Sequence, residues 1–194
     1  FAASMAVFEA RSAVAGLLGA QDASRVSFTM NATMALNIAL VGLLPDGGHA
    51  VTTAASHNSV LRPLFRARDL RGVQVEVARI LPDGSLDWES YERALEGGAN
   101  LVVATHASNV TGDVYDVARM AAMAHDVGAL FVLDAAQTAG HVPLKPGKWG
   151  CTMLAMPGHK GLLGPHGTGA LWVRNGVTLA PLRQGGTGSA SESM

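Results

Sequence analysis

The sequence predicts an α/β fold in which a mostly parallel sheet lies between two layers of helices. Short apolar runs alternate with amphipathic segments at close intervals along the chain. Several of these runs are apolar at nearly every position, which is typical of strands buried on both faces of a parallel sheet. Turns rich in glycine and proline separate the segments. This alternation is the pattern of a three-layer α/β domain with a mostly parallel, mixed sheet.

The individual elements follow from local patterns. Residues 2–18 carry apolar side chains at helical spacing, which predicts a helix that ends near Gly19. Asn31 and Thr33 favour helix starts, so the apolar segment after them predicts a second helix over 34–44. Further helices are predicted over 59–70, 87–96 and 115–127. Strands are predicted over 25–28, 50–53, 73–77, 101–105, 129–133, 152–156 and 169–173.

Composition restricts the class of protein. The 194 residues are 48% hydrophobic and 15% charged, with a net charge of −1, which indicates a well-buried domain or one lobe of a larger enzyme. No cluster of Lys and Arg forms a nucleic-acid footprint, and no apolar run reaches the length of a membrane span. The single cysteine, Cys151, excludes an internal disulfide and favours a reducing compartment, so we expect a cytoplasmic protein. The chain opens on Phe1 and stops after a glycine-rich stretch, so we expect part of a longer protein.

Polar side chains follow several of the predicted strands and helix starts. In parallel α/β sheets, ligands bind at the carboxyl ends of the strands. Residues from separate elements at that end therefore predict one shared site. The residues concerned are Thr33, His57, Asn109, Asp134, Gln137 and Lys160.

Lys160 is the candidate nucleophile of this site. It follows His159 directly, just beyond a buried strand, in a turn with glycines on both sides. Near apolar walls a lysine amine loses its proton more readily and can form a Schiff base with a carbonyl. The alternative is a surface turn with a solvated lysine.

Asp134 gives the lysine a chemical context. It follows four apolar residues, so its carboxylate is poorly solvated and needs a cationic partner, unless it only caps the next segment. Together with a Schiff-base lysine, such an aspartate can pair with the pyridine nitrogen of pyridoxal phosphate (PLP) and keep the ring an electron sink. The helix start at Ala32 and Thr33 can bind the phosphate, although it is equally an ordinary cap. His159 can add a donor to the same phosphate.

Three further side chains suit the same cofactor. Gln137 and Asn109 carry amides that can contact the ring hydroxyl. His57 can stack on the ring and move protons, or it can be a helix-capping or surface histidine. Competing sites are disfavoured, because the seven histidines form no HExxH and no other metal-ligand spacing. No GxGxxG follows the first strand, so a dinucleotide fold is also disfavoured.

With these residues in place, the sequence resembles the cysteine desulfurases, in the class V aminotransferase group of fold-type I PLP enzymes. The resemblance runs from about residue 28 to the end of the chain. The stretches that carry it are NATMALN, SHNSVLRPL, HASNVTG, DAAQTAGH, GHKGLLGPHGTGALWV and GGTGSASE.

The resemblance implies a role for each candidate residue within a PLP-binding large domain over 1–194, with its N-terminal segment and its small domain absent. Lys160 matches the Schiff-base lysine and the base for the Cα proton, and His57 the ring-stacking histidine that handles protons. Asp134 matches the partner of the pyridine nitrogen. The remaining matches are the amide near the ring oxygen (Gln137), the cofactor- and substrate-contacting asparagine (Asn109), the phosphate-binding helix start (Ala32, Thr33) and the histidine before the lysine (His159).

The implied reaction converts L-cysteine to L-alanine and passes the sulfur, as a persulfide, to an acceptor protein such as an iron–sulfur cluster scaffold. A homodimer is implied, with residues 185–188 near its interface, and we expect the residues beyond about 183 to be mobile. The sulfur-accepting cysteine of the family would lie outside the chain, so Cys151 is interpreted as structural. The alternatives are a selenocysteine lyase or aminotransferase of the same group, and a catalytically incomplete PLP-binding fragment.

Two positions depart from the family pattern. Pro157 and Gly158 stand where many relatives carry a phosphate-binding serine or threonine before the lysine. Ser56 stands where an acidic residue usually precedes the stacking histidine. We therefore expect weaker phosphate binding than in those relatives.

Overall fold

The computed structural model describes residues 2–183 and residue 185 of the chain. Its helices are α1 (Ala2–Leu17), α2 (Ala32–Leu43), α3 (Asn58–Arg71), α4 (Trp88–Leu95) and α5 (Val117–Asp126), with a short 3₁₀ helix at Ala23–Arg25. Its strands are β1 (Val26–Thr29), β2 (His49–Thr53), β3 (Gln74–Ala78), β4 (Leu101–Thr105), β5 (Leu130–Asp134), β6 (Met153–Pro157) and β7 (Gly169–Val173). The predicted elements are confirmed in type and order. Apart from Gly185, the stretch expected at a subunit interface lies outside the described residues.

The strands form one mixed sheet in the order β1-β7-β6-β5-β4-β2-β3. Strands β2 to β6 run parallel, as predicted. Strand β7 is antiparallel to both β6 and β1. The first and last strands of the described chain are therefore partners at one edge of the sheet.

Helices cover both faces of this sheet, and the period-two geometry of the central strand shows how. Phe131 and Leu133 on β5 are fully buried in the core that also contains side chains of α1, α4 and α5. Val132, between them, belongs to the opposite core, which contains side chains of α2 and α3. Because successive side chains of a strand point to opposite faces, a strand between two helical layers must be apolar at every position. The α/β layering predicted from the sequence is confirmed.

The start of α2 is held close to the sheet. Asn31 caps the helix, with its side-chain oxygen accepting the Met34 N–H at 2.8 Å. On β7, Gly169 makes the close approach possible, because a Cβ there would lie 2.9 Å from Asn31 Cα and from the Met156 carbonyl oxygen. A larger residue at this position would push the helix start away from the carboxyl end of β6.

Candidate active site

A cavity of about 170 Å³ opens at the carboxyl ends of the parallel strands, beside the start of α2. All the residues selected from the sequence line it, namely Ala32, Thr33, His57, Asn109, Asp134, Gln137, His159 and Lys160. The structure thus brings together groups that are spread over 129 positions of the chain, from 32 to 160 inclusive. It also adds lining residues that sequence reasoning did not select, namely Asn31, Ser59, Thr105, Ala107, Ala136 and Pro157.

Asp134 is the buried acid of the cavity. It ends β5, and the residue is only 2% exposed. Its Oδ1 accepts the Ala136 N–H at 3.0 Å, so it also orders the turn that follows. Burial raises the pKa of the Asp134 carboxyl, while the Ala136 N–H, Lys160 and His57 act in the opposite direction. Within the described residues it forms no ion pair, although the charges of Lys160 and His57 favour its ionised form.

Lys160 lies in a tight turn after β6. Its carbonyl accepts the Leu163 N–H at 2.8 Å, and Leu163 adopts a φ of +56°, which is unusual for a residue other than glycine. The lysine is exposed, and polar residues of the cavity surround its turn. The strand end thus opens into the cavity and not into the core.

Two glycines hold the lysine turn against the loop that follows Asp134. A Cβ on Gly161 would lie 2.4 Å from the Ala139 carbonyl oxygen, and one on Gly140 would lie 2.3 Å from the Gly161 oxygen. These distances are too short for any real Cβ contact, so the two backbones interlock only because both side chains are absent. The positions of Lys160 and Gln137 are thereby fixed relative to each other.

His57 has two structural duties. It is the N-cap of α3, and its Nδ1 accepts the Ser59 N–H at 3.1 Å. The same nitrogen lies 2.8 Å from the Ser59 hydroxyl. Because its ring also lines the cavity, the capping and the site interpretations of this histidine hold together. The preceding residue, Ser56, is buried and accepts a hydrogen bond from the Thr52 hydroxyl at 2.8 Å. Its oxygen thus stabilises the turn at the end of β2 and does not line the cavity.

The phosphate-binding residues expected from the sequence lie at one end of the cavity. Ala32 and Thr33 occupy the first turn of α2, where backbone N–H groups have no intrahelical partners. His159 stacks on His166, with ring centroids 4.6 Å apart and an interplanar angle of 25°. The His159 Nδ1 is buried and has no hydrogen-bond partner among the described residues.

The departure at Gly158 has a steric cause. A Cβ at this position would lie 2.2 Å from the Thr168 hydroxyl oxygen, so the residue must be glycine in this packing. Thr168 in turn donates to the Pro165 carbonyl at 2.6 Å. Gly158 therefore lets the Thr168 segment approach the end of β6 closely.

His106 joins the two loops that carry the amide side chains. It follows β4 and is buried, and its Nδ1 lies 2.9 Å from the Thr138 hydroxyl. Asn109 is on the His106 loop and Gln137 directly precedes Thr138. Burial lowers the pKa of His106, so the neutral ring is favoured. Sequence reasoning did not assign this histidine a role, although its place after a buried strand was a usable signal.

Cys151 lies apart from the cavity chemistry. It is fully buried beside β6, and burial raises the pKa of its thiol to about 12. A thiol without solvent access and with so little thiolate is a poor nucleophile, which supports its structural interpretation.

Within the described residues there is no group of three His, Cys, Asp or Glu side chains that could hold a metal ion. No helix in that part of the chain is long and apolar enough to cross a membrane.

Known proteins resemble this chain over nearly all of it. It is 41% identical, over 181 residues, to a probable cysteine desulfurase of Methanothermobacter thermautotrophicus, covering 92% of the chain and 45% of the relative. The apo structure of a cysteine desulfurase from Thermococcus onnurineus NA1 matches with a TM-score of 0.82 and 37% identity, over 87% of this chain and 42% of that one.

A structure described as SspA in complex with cysteine matches with a TM-score of 0.87 and 29% identity, over 95% of this chain and 54% of that one. The chain spans about half the length of the curated relatives it matches. The family described as Aminotransferase class-V matches residues 2–194. By this match, and by a fold and motif order that agree with it, the chain belongs to the class-V aminotransferase family.

Proposed function

We propose that this chain forms the PLP-binding large domain of a cysteine desulfurase. The observation that carries the proposal is the convergence of Lys160, Asp134 and the start of α2 on one cavity. A covalent anchor, a buried acid and an anion site in one cavity are what a phosphorylated pyridine aldehyde requires. The cysteine desulfurases among the relatives, and the cysteine in the SspA structure, support L-cysteine as the substrate.

The residues of the cavity fit PLP by a test that is independent of the relatives. The buried Asp134 carboxylate has no cationic partner in the described structure, and a protonated pyridine nitrogen would supply one. The His159 Nδ1 is a buried polar atom without a partner there, and a phosphate oxygen would satisfy it. The first turn of α2 offers backbone donors for the same phosphate. Each unsatisfied group thus has a counterpart on the cofactor.

In this proposal each side chain has a distinct task. Lys160 would hold the cofactor through Nζ and would serve as the base for the substrate Cα proton. Asp134 would hold the protonated pyridine nitrogen, and His57 would contact the ring. Gln137 and Asn109 orient the ring oxygen and the substrate. When bound, PLP supplies an electron sink for the charge that develops at Cα.

The sulfur-transfer step needs a thiol that this cavity does not contain. Cys151 is the only cysteine of the sequence, and it is buried away from the site. We therefore assign the accepting thiol to sequence outside these 194 residues. The thiolate would attack the substrate sulfur, so that an S–S bond forms as the substrate Cβ–S bond breaks. The electron pair of that bond stays on the carbon fragment, which is protonated at Cβ and leaves as alanine. A cytoplasmic homodimer that delivers the sulfur to an acceptor, for example in iron–sulfur cluster assembly, completes the proposal.

A selenocysteine lyase or aminotransferase is the alternative, favoured by the class-V match and by the lack of an accessible thiol among the described residues. Lys160, Asp134 and His57 would have the same tasks in these enzymes. The product distinguishes them. A desulfurase releases alanine together with persulfide sulfur, a lyase prefers selenocysteine, and an aminotransferase yields a keto acid.

The decisive experiment maps the lysine that binds PLP. The protein is loaded with PLP, reduced with borohydride and digested, and the labelled peptide is identified by mass spectrometry. We expect the label on Lys160, with Lys145 and Lys148 as internal controls because both are exposed and lie outside the cavity lining. Addition of L-cysteine before reduction should change the absorbance of bound PLP and reduce labelling. A label on either control lysine, or no response to cysteine, would contradict the proposal.

A further inference from the structure

The hydrogen bonds at His57 select one form of its ring. The Nδ1 atom receives the Ser59 backbone N–H at 3.1 Å, and the Ser59 hydroxyl oxygen lies 2.8 Å from the same atom. A backbone N–H can only donate, so Nδ1 must present its lone pair. In that state the hydroxyl can only donate to it as well. A proton on Nδ1 would leave the Ser59 N–H without this acceptor.

The neutral ring that fits both contacts carries its proton on Nε2. Ser59 is 8% exposed and itself lines the cavity, whereas His57 is exposed. The Nε2 atom makes no hydrogen bond to the residues that the structure describes, which leaves its N–H available to a group in the cavity. In this form the ring can donate a hydrogen bond through Nε2, but Nε2 cannot accept one.

We propose that Ser59 is a positioning residue that holds His57 in the Nε2–H tautomer and makes it a donor toward the cavity. The catalytic role of this tautomer rests on the proposed function. The sequence left open whether His57 accepts or donates protons. With the lone pair on Nδ1 occupied by Ser59, His57 has no free ring nitrogen that could accept a proton. The role of base then belongs to Lys160, and His57 supplies a hydrogen bond.

The tautomer can be measured on the cofactor-free protein. Histidine is labelled with ¹⁵N, and ring nitrogen shifts are recorded at about pH 8, above the ordinary His pKa of about 6.5. The His57 signals are assigned by their loss in His57→Gln. We expect a pyrrole-like Nε2 and a pyridine-like Nδ1 for His57 in the wild type.

Ser59→Ala removes the hydroxyl donor and keeps the backbone donor. One neutral hydrogen bond is worth about 0.5–1.5 kcal/mol, so the ratio of Nε2–H to Nδ1–H should fall about 2- to 13-fold. Ser59→Cys keeps a weaker donor of similar size and should give an intermediate ratio. Ser12→Ala, exposed on α1, is the matched control and should leave the ratio unchanged.

Either of two results would overturn the inference. One is a wild-type His57 with its proton mainly on Nδ1, which is decisive even if Ser59→Ala does not fold. The other is a tautomer ratio in both Ser59→Ala and Ser59→Cys that equals the wild-type ratio. Because these spectra need no PLP, they test the role of Ser59 separately from the proposed function.

Discussion

The contact between Gly161 and the loop after β5 allows a quantitative prediction. In Gly161→Ala the new methyl group would lie 2.4 Å from the Ala139 carbonyl oxygen and 2.6 Å from His141 Cδ2. Ordinary contact begins near 3.4 Å, so one of the two backbones must move by about 1 Å. The moving part is either the turn of Lys160 or the loop that carries Gln137. The cavity is deformed in both cases.

Two magnitudes follow from this shift. Overpacking of this kind costs about 1–3 kcal/mol of stability, which for a chain of this size lowers Tm by about 2–12 °C. A misplacement of about 1 Å at a reacting group can cost about 100-fold in rate. We therefore expect Lys160 in Gly161→Ala to be trapped by PLP and borohydride about 100-fold more slowly than in the wild type.

The assay compares initial rates of labelling at Lys160 by peptide mass spectrometry and records thermal unfolding of the same samples. Gly147→Ala is the matched control, since a Cβ there meets no atom within 4 Å. It should stay within about 0.5 kcal/mol of the wild type. Wild-type labelling together with wild-type Tm in Gly161→Ala would refute the reasoning, because it would mean that the interlocked backbones do not determine the position of the lysine.

Three further predictions concern buried polar groups. Burial raises the pKa of Asp134, so the stability of the folded protein falls as the pH rises from the ordinary Asp value of about 3.9 through the folded value. The variant Asp134→Asn keeps an oxygen for the Ala136 N–H but cannot ionise. It should therefore raise Tm more at about pH 7.5 than at about pH 4.5. An equal difference at both pH values would contradict this. Tyr91→Phe removes the 2.9 Å hydrogen bond to the buried Met120 carbonyl and should lower the free energy of unfolding, measured in urea, by about 1–3 kcal/mol. An unchanged unfolding midpoint would show that the bond contributes nothing. Cys151 should react with a disulfide reagent at least ~100-fold more slowly in the folded protein than in guanidinium, and rapid reaction of the folded protein would show that its burial is transient.

Local patterns were sufficient to predict the elements and the place of the site. Apolar runs identified the buried strands, and the rule that ligands bind at the carboxyl ends of parallel strands predicted that Asp134 and Lys160 lie together. The chemical roles of these residues stay predictions. The agreement arises because strand burial and helix starts are encoded within a few neighbouring residues.

Contacts between distant segments could not be predicted in the same way. The pairing of β1 with β7, the interlock of Gly140 with Gly161 and the contact of Gly158 with Thr168 all depend on which backbones approach each other. The periodicity of apolar residues reports local structure and does not say which distant segments come into contact. The exposure of Lys160 belongs to the same class, because only the tertiary arrangement decides whether a strand end opens into the core or into a cavity.

The edge pairing of β1 and β7 has a consequence for how the site is assembled during folding. Val26 pairs with Trp172, so β1, which precedes α2, can join the sheet only when β7, the last described strand, is present. Closing so long a loop costs entropy before any contact rewards it, which makes this step slow compared with the local βα units. On a ribosome the first turn of α2, at Ala32 and Thr33, would emerge early, yet it would reach its final position only after residue 173 had left the exit tunnel.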